Sequence, residues 1–163
     1  MKLQVEITRQ DYSDLNKFHF VHTRLKKTII MSILILCFSQ FILNYQHFDL
    51  IVTIISTILF VAAYSFGIIR SLNKTSNIPD KNGSILGTKD FEFTDDKIIY
   101  KSQNSEGSND WSKIRNLQEG KKAFYLYMDT NMAILIPKRI FKDNTEMTEF
   151  RDLVNKKIKP VEC

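Results

Sequence analysis

The chain has 163 residues, with 23 Lys and Arg against 18 Asp and Glu, a net charge of +5 and a pI near 9.1. The excess is small and spread along the chain, which argues against nucleic acid as a partner and suits a protein beside an anionic leaflet. Its two cysteines, Cys37 inside an apolar run and Cys163 at the far end, are not placed to meet, so neither a disulfide framework nor a Cys-based metal site is expected.

Residues 1–27 open with a clean alternation: Leu3, Val5 and Ile7 on one side, Lys2, Gln4, Glu6 and Thr8 on the other. That is the period of a half-buried strand, and a strand this isolated must find its partner elsewhere in the chain. Thr8-Arg-Gln-Asp11 has the spacing of a capping box with Asp in the acidic place, and Tyr12, Leu15, Phe18 and Val21 follow at helical spacing. The resulting helix is expected to continue into the first apolar stretch. His19 and His22, three apart, share a helix face but have no carboxylate or thiolate partner on it. They read as interfacial residues, and no metal is expected.

Residues 28–70 form the central feature. Thr28–Leu43, extendable through Asn44 and Tyr45, and Leu50–Ile69 are two apolar stretches without a charged side chain, joined by a short polar turn. About 20 helical residues at roughly 1.5 Å each cross a hydrocarbon core of roughly 30 Å. The pair, with spans at about 28–45 and 50–69, reads as a transmembrane hairpin. Arg24, Lys26 and Lys27 precede it and Arg70 and Lys74 follow it, whereas the turn carries only Asp49. By the positive-inside rule both termini are expected in the cytoplasm, with the protein in the inner or plasma membrane. No cleavable signal peptide is expected, because a long polar segment precedes the first apolar run.

Within the second span, Ala63-x-x-x-Gly67 is a small-x-x-x-small pair that permits close helix approach. Its natural partner is the first span, and a homodimer contact is the sharper reading. No ionisable residue lies at mid-span, so a proton or ion pathway has nothing to work with.

Residues 71–84 turn polar and carry several breakers, as expected of a linker. The segment 85–163 then reads as a small cytoplasmic domain. Phe91 and Phe93 share one face, Thr94–Lys97 turns the chain and Ile98–Tyr100 returns. Gln103–Ser108 is expected as a further turn, with a short segment from Asp110 to Ile114. Phe124, Leu126 and Met128 are expected opposite Tyr125 and Tyr127, and Met132–Ile136 is a compact strand closed by Pro137. The last element is a helix, with a start signal at Asp143-x-x-Glu146 and an apolar stripe through Met147, Phe150, Leu153, Val154 and Ile158. The fold class is therefore α+β: a transmembrane hairpin plus an antiparallel β meander closed by an amphipathic helix, the element order of a pleckstrin-homology-like barrel.

The chain resembles the YcxB-like family of small bacterial membrane proteins. The resemblance rests on Glu6–Tyr12 before two spans, then on Trp111-Ser-Lys-Ile114, Phe124–Tyr127, Ile134–Arg139 and Phe141. It implies a two-span protein with a cytoplasmic pleckstrin-homology-like domain, and it supplies no catalytic residues.

The residues agree that the parts of an enzyme are missing. There is no phosphate-binding glycine loop, nucleophile elbow or metal-ligand spacing, so neither catalysis nor a cofactor is expected. Asp95 and Asp96 fall in a hairpin turn, where solvation accounts for them, and the single Trp111 is expected to fill the end of a small core. Lys121, Lys122, Lys138 and Arg139, with Lys142 nearby, lie in turns or at strand ends. They could gather into a basic rim facing anionic lipid or a protein partner. The expected function is a membrane-anchored binding or regulatory module. The alternative is an accessory subunit of a transport or export complex acting through its transmembrane helices.

Overall fold

The structure is a computed structural model that describes residues 1–45, 49–75, 79, 85–103 and 105–158. The turn residues Gln46, His47 and Phe48, most of the linker beyond Thr75, and Cys163 lie outside the described residues. The chain divides into two compact units, one made of residues 1–15 together with residues from 76 on, the other of residues 16–75.

In the first unit, strand β1 (Lys2–Ile7) pairs antiparallel with β2 (Gly87–Phe93), in a register running from Lys2 opposite Glu92 to Ile7 opposite Gly87. The expected distant partner of the opening strand is thus β2. The burial of β1 alternates residue by residue, with Leu3, Val5 and Ile7 inside. Strands β3 (Lys97–Ser102) and β4 (Glu106–Asp110) complete a four-stranded antiparallel sheet in the order β1-β2-β3-β4. Strands β5 (Asn116–Glu119), β6 (Ala123–Asp129) and β7 (Met132–Pro137) form a second, three-stranded antiparallel sheet.

Strand β4 corrects the expected turn at Gln103–Ser108. Its sequence, Glu-Gly-Ser-Asn-Asp, carries no apolar alternation, because it is an edge strand paired on one side only. Gly107 is needed there: a Cβ at this position would stand 2.6 Å from the Tyr100 hydroxyl oxygen, since the Tyr100 ring lies across it from β3. Strand β6 is buried on both faces: Ala123 through Tyr127 are all withdrawn from solvent, Tyr125 and Tyr127 included. Burial pushes the Tyr125 hydroxyl up to about 12, and the nearby carboxylate of Asp14 adds to the effect.

The core of this unit is aromatic. Helix α4 (Asn144–Lys157) inserts Phe150, whose ring centroid lies 5.3 Å from those of Phe93 on β2, Phe124 on β6 and Phe141. One side chain therefore bridges both sheets, and Val154 one turn later is equally buried. The start signal of α4 is realised: Asp143 Oδ1 accepts from the Glu146 amide at 2.9 Å, and Glu146 Oε2 accepts from the Lys142 amide at 2.8 Å. Trp111 is buried beside Phe93 and donates its indole N–H to the Thr94 carbonyl at 3.0 Å, which is how a Trp closes the end of a core.

The second unit is helical. Helix α1 (Arg9–His19), whose residues up to Leu15 belong to the first unit, passes through a π-helical turn, Phe20–Arg24, into α2 (Leu25–Leu43), and α3 is Leu50–Thr75. Ser71–Thr75, expected as the start of the linker, is the last part of α3, because no breaker precedes Asn77. Asp49 caps α3 by accepting from the Ile51 and Val52 amides. The segments Arg9–Leu43 and Leu50–Thr75 are long and apolar enough to cross a membrane by length and composition, and no residue of α2 or α3 is buried. Contact between α2 and α3 is partly polar: Gln40 Nε2 donates to Ser56 Oγ at 2.9 Å and to Thr57 Oγ1 at 3.1 Å.

Candidate functional site

The four cations of the expected rim do not share one environment. Pro137 ends β7, and the 3₁₀ turn Lys138–Ile140 that follows swings Arg139 toward the N-terminal segment. There its guanidinium donates to Asp11 Oδ1 at 2.5 Å, to Asp11 Oδ2 at 2.7 Å and to the Glu6 carbonyl at 2.6 Å. Such a bidentate pair is geometrically specific as well as charge-assisted. Asp11 is at the same time the acidic member of the capping box. Its Oδ2 accepts from the Thr8 amide at 2.8 Å and the Thr8 hydroxyl at 2.7 Å, while the Asp11 amide donates to Thr8 Oγ1. Burial acts to raise the Asp11 carboxyl, but the bonds from Arg139 and Thr8 outweigh it and hold the group below its ordinary value.

Lys138 Nζ lies 2.5 Å from Glu119 Oε1, and Arg151 of α4 donates to both oxygens of the same carboxylate. The Arg151 guanidinium, opposed by partial burial and reinforced by Lys138, brings Glu119 down to about 2. Lys122 pairs with Asp14 at 2.9 Å. Lys121 is exposed and has no carboxylate partner among the described residues. Three of the four cations therefore tie elements of the unit together. Sequence reasoning missed these anchors because the partners, Asp11, Asp14 and Glu119, are remote in sequence; the one local signal was that a capping carboxylate has lone pairs left for a further donor.

Ala63 and Gly67 are both exposed, and a Cβ on Gly67 would meet nothing within 4 Å. The side of α3 turned to α2 carries Ser56, Thr57, Phe60 and Tyr64 instead. The small pair does not pack on the first span, which corrects the expectation of its natural partner. His22 donates from Nδ1 to the Phe18 carbonyl at 2.9 Å and stacks on the Phe18 ring, so it serves the π-helical turn. Asp95 pairs with Lys157 of α4 at 2.6 Å, which links the β2–β3 turn to the last helix.

One concave feature of the first unit is a groove of about 450 Å³ between the inner face of the first sheet and β7. Phe91 and Tyr100 line one wall and Met132 and Ile134 the other, with Tyr12 and Leu15 of α1 at one end.

Residues 93–154 match the family model described as YcxB-like protein. The matched segment runs from the end of β2 into α4, and it includes Trp111, Phe124–Tyr127 and Ile134–Arg139, so this part of the chain is similar to that family. Strand β1 and the two long apolar helices lie outside it. No curated protein matches the chain. No solved structure matches it either.

Proposed function

Taking the chain as YcxB-like through its larger unit, we propose that it is a membrane-anchored, non-catalytic binding module. In this reading the two apolar helices span the inner or plasma membrane, and the strand-rich unit is a pleckstrin-homology-like domain in the cytoplasm that holds a protein or anionic-lipid partner. The observation that carries the reading is the pairing of β1 with β2. The chain before the hairpin and the chain after it belong to one compact unit, so two crossings return the polypeptide to the side it left. The Lys and Arg asymmetry of the flanks then favours the cytoplasmic side. Four strands, three strands and a closing helix support the pleckstrin-homology-like assignment.

A Cys introduced at Gln46 should be labelled from outside intact cells while Cys163 is spared; the reverse pattern overturns the topology. The binding role is tested by affinity capture from gently solubilised membranes. A partner should be held by the intact chain and lost from a variant truncated after Asn77. For lipid contact, Lys121→Glu is the informative variant, because Lys122→Glu would also break the pair with Asp14 and Arg139→Glu the clasp on Asp11. Weak binding to anionic vesicles that falls with salt and with this change supports a lipid partner.

One observation favours the alternative of an accessory subunit acting through its spans. Ala63 and Gly67 leave an open face on α3 that α2 does not use. Loss of a captured partner from Gly67→Leu, with the truncated chain still holding it, would move the function to the helices.

A further inference from the structure

Strand β2 is a central strand, with β1 on one side and β3 on the other. Its inner face presents Gly87, Lys89, Phe91 and Phe93, since alternate residues share a face. Lys89 therefore occupies a position between the exposed Gly87 and the buried Phe91 on that face. The register sets it between Val5 of β1, which is fully buried, and Ser102 of β3. Its side chain is half-buried and lines the groove. Among the described residues no carboxylate pairs with it, and burial pulls its ammonium below the ordinary lysine value. An inward charge can protect an edge strand from aggregation, but β2 has no free edge to protect. In a central strand an unpaired ammonium among apolar groups only costs stability, unless something brings an anion to it.

We infer that the groove binds a single-chain fatty carboxylate, with the carboxylate on the Lys89 ammonium and the alkyl chain along Ile7, Leu15, Met132 and Ile134. Three features select this chemistry. One cation calls for one negative charge, and a doubly charged headgroup would leave half its charge unmatched. The remaining walls are largely apolar, so an inorganic anion would leave them wet. The volume, about 450 Å³, falls within the roughly 300–1,000 Å³ of small-molecule sites. A chain with two helices of membrane length would also meet such ligands where they partition.

The inference rests on reading this unit as a binding module, and its test is separate from the capture experiment. The full chain in a neutral sugar detergent is titrated with dodecanoate, dodecan-1-ol and dodecylammonium, and bound molecules are counted by native mass spectrometry. The unaltered chain should take one dodecanoate saturably, and at least tenfold more tightly than either analogue. Lys89→Met should lose about tenfold or more in dodecanoate affinity, and Lys89→Arg should stay within about threefold of the parent. Adducts on the apolar helices are common to all variants and cancel. The melting temperature of Lys89→Met should equal or exceed that of the parent, which excludes unfolding as the cause of lost binding. Equal binding of the three ligands to the unaltered chain overturns the inference, whether or not a variant folds. So does a folded Lys89→Met chain that binds dodecanoate like the parent. If partner capture still succeeds in either case, the binding module stands and only its groove ligand is wrong.

Discussion

The two units of this chain are built from similar amounts of apolar side chain and put it to opposite use. In the strand-rich unit, Val5, Ile98, Phe124, Leu126, Ile136 and Phe150 are withdrawn completely. In the helical unit, Phe38, Phe41, Ile51 and Phe66 each keep about two thirds of their surface exposed, and apolar residues surround the whole of α2. A helix that is apolar all round must be enclosed by something, either a large core or lipid. Within its own unit α2 is not enclosed. The contrast shows what holds each unit together: burial between sheets and α4 in one, and in the other a few polar contacts such as Gln40 with Ser56 and Thr57, together with whatever surrounds the helices.

Because Trp111 is the single Trp and belongs to the strand-rich unit, its fluorescence follows that unit alone, while far-ultraviolet dichroism follows mainly the helices. The comparison is broken most severely by deleting residues 2–8. This removes Leu3, Val5 and Ile7, each worth about 1.5–3 kcal/mol of burial, and it exposes the edge of β2. Against a total stability of roughly 5–15 kcal/mol, the Trp111 transition should fall by tens of degrees or vanish, with the helical signal largely kept. An unchanged transition would mean that β1 contributes nothing to the unit.

Arg139→Ala is next. It leaves the Asp11 carboxylate, whose side chain is only 10% exposed, without its guanidinium, and should cost about 1–3 kcal/mol in the Trp111 transition. Lys121→Ala, in the turn between β5 and β6, should cost under about 0.5 kcal/mol, as an exposed residue away from such contacts does. Equal effects would show that the clasp is only a surface ion pair.

Acid should separate the units further. Glu119 is held at about 2 in the folded chain, below its ordinary 4.5, so the unfolded chain binds the proton more readily. The stability this supplies is complete above about pH 4.5 and is lost as pH falls toward about 2. With the side chain about a third exposed, the loss is about 1 kcal/mol. Glu119→Gln should flatten that part of the pH profile of the Trp111 transition, and an unaltered slope would remove Glu119 as its source. The smallest effect belongs to Gly67→Leu. Nothing lies within 4 Å of a Cβ added there, and the position is exposed, so both transitions should stay within about 0.5 kcal/mol of the parent. A large loss would place a neighbour on that face of α3.

Local pattern alone was enough for much of this chain. The alternation of residues 2–8, the cap at Thr8 and Asp11, the two apolar helices and the stripe of α4 are all properties of near neighbours, and near neighbours set the periods of strand and helix. Strand β4 escaped notice because an edge strand needs no apolar face, only backbone partners, and these leave no mark on Glu-Gly-Ser-Asn-Asp. The basic residues escaped for a different reason. A lysine or arginine looks the same in sequence whether it faces solvent or holds a carboxylate from a distant segment, so only the fold could bring Arg139 to Asp11 and Lys138 to Glu119. Lys89 belongs with these basic residues: it shares the face of Phe91 and Phe93 by strand period, but nothing in that period tells what it meets there. That no carboxylate among the described residues pairs with it depended on where those acidic side chains came to rest, and tertiary structure alone decides that.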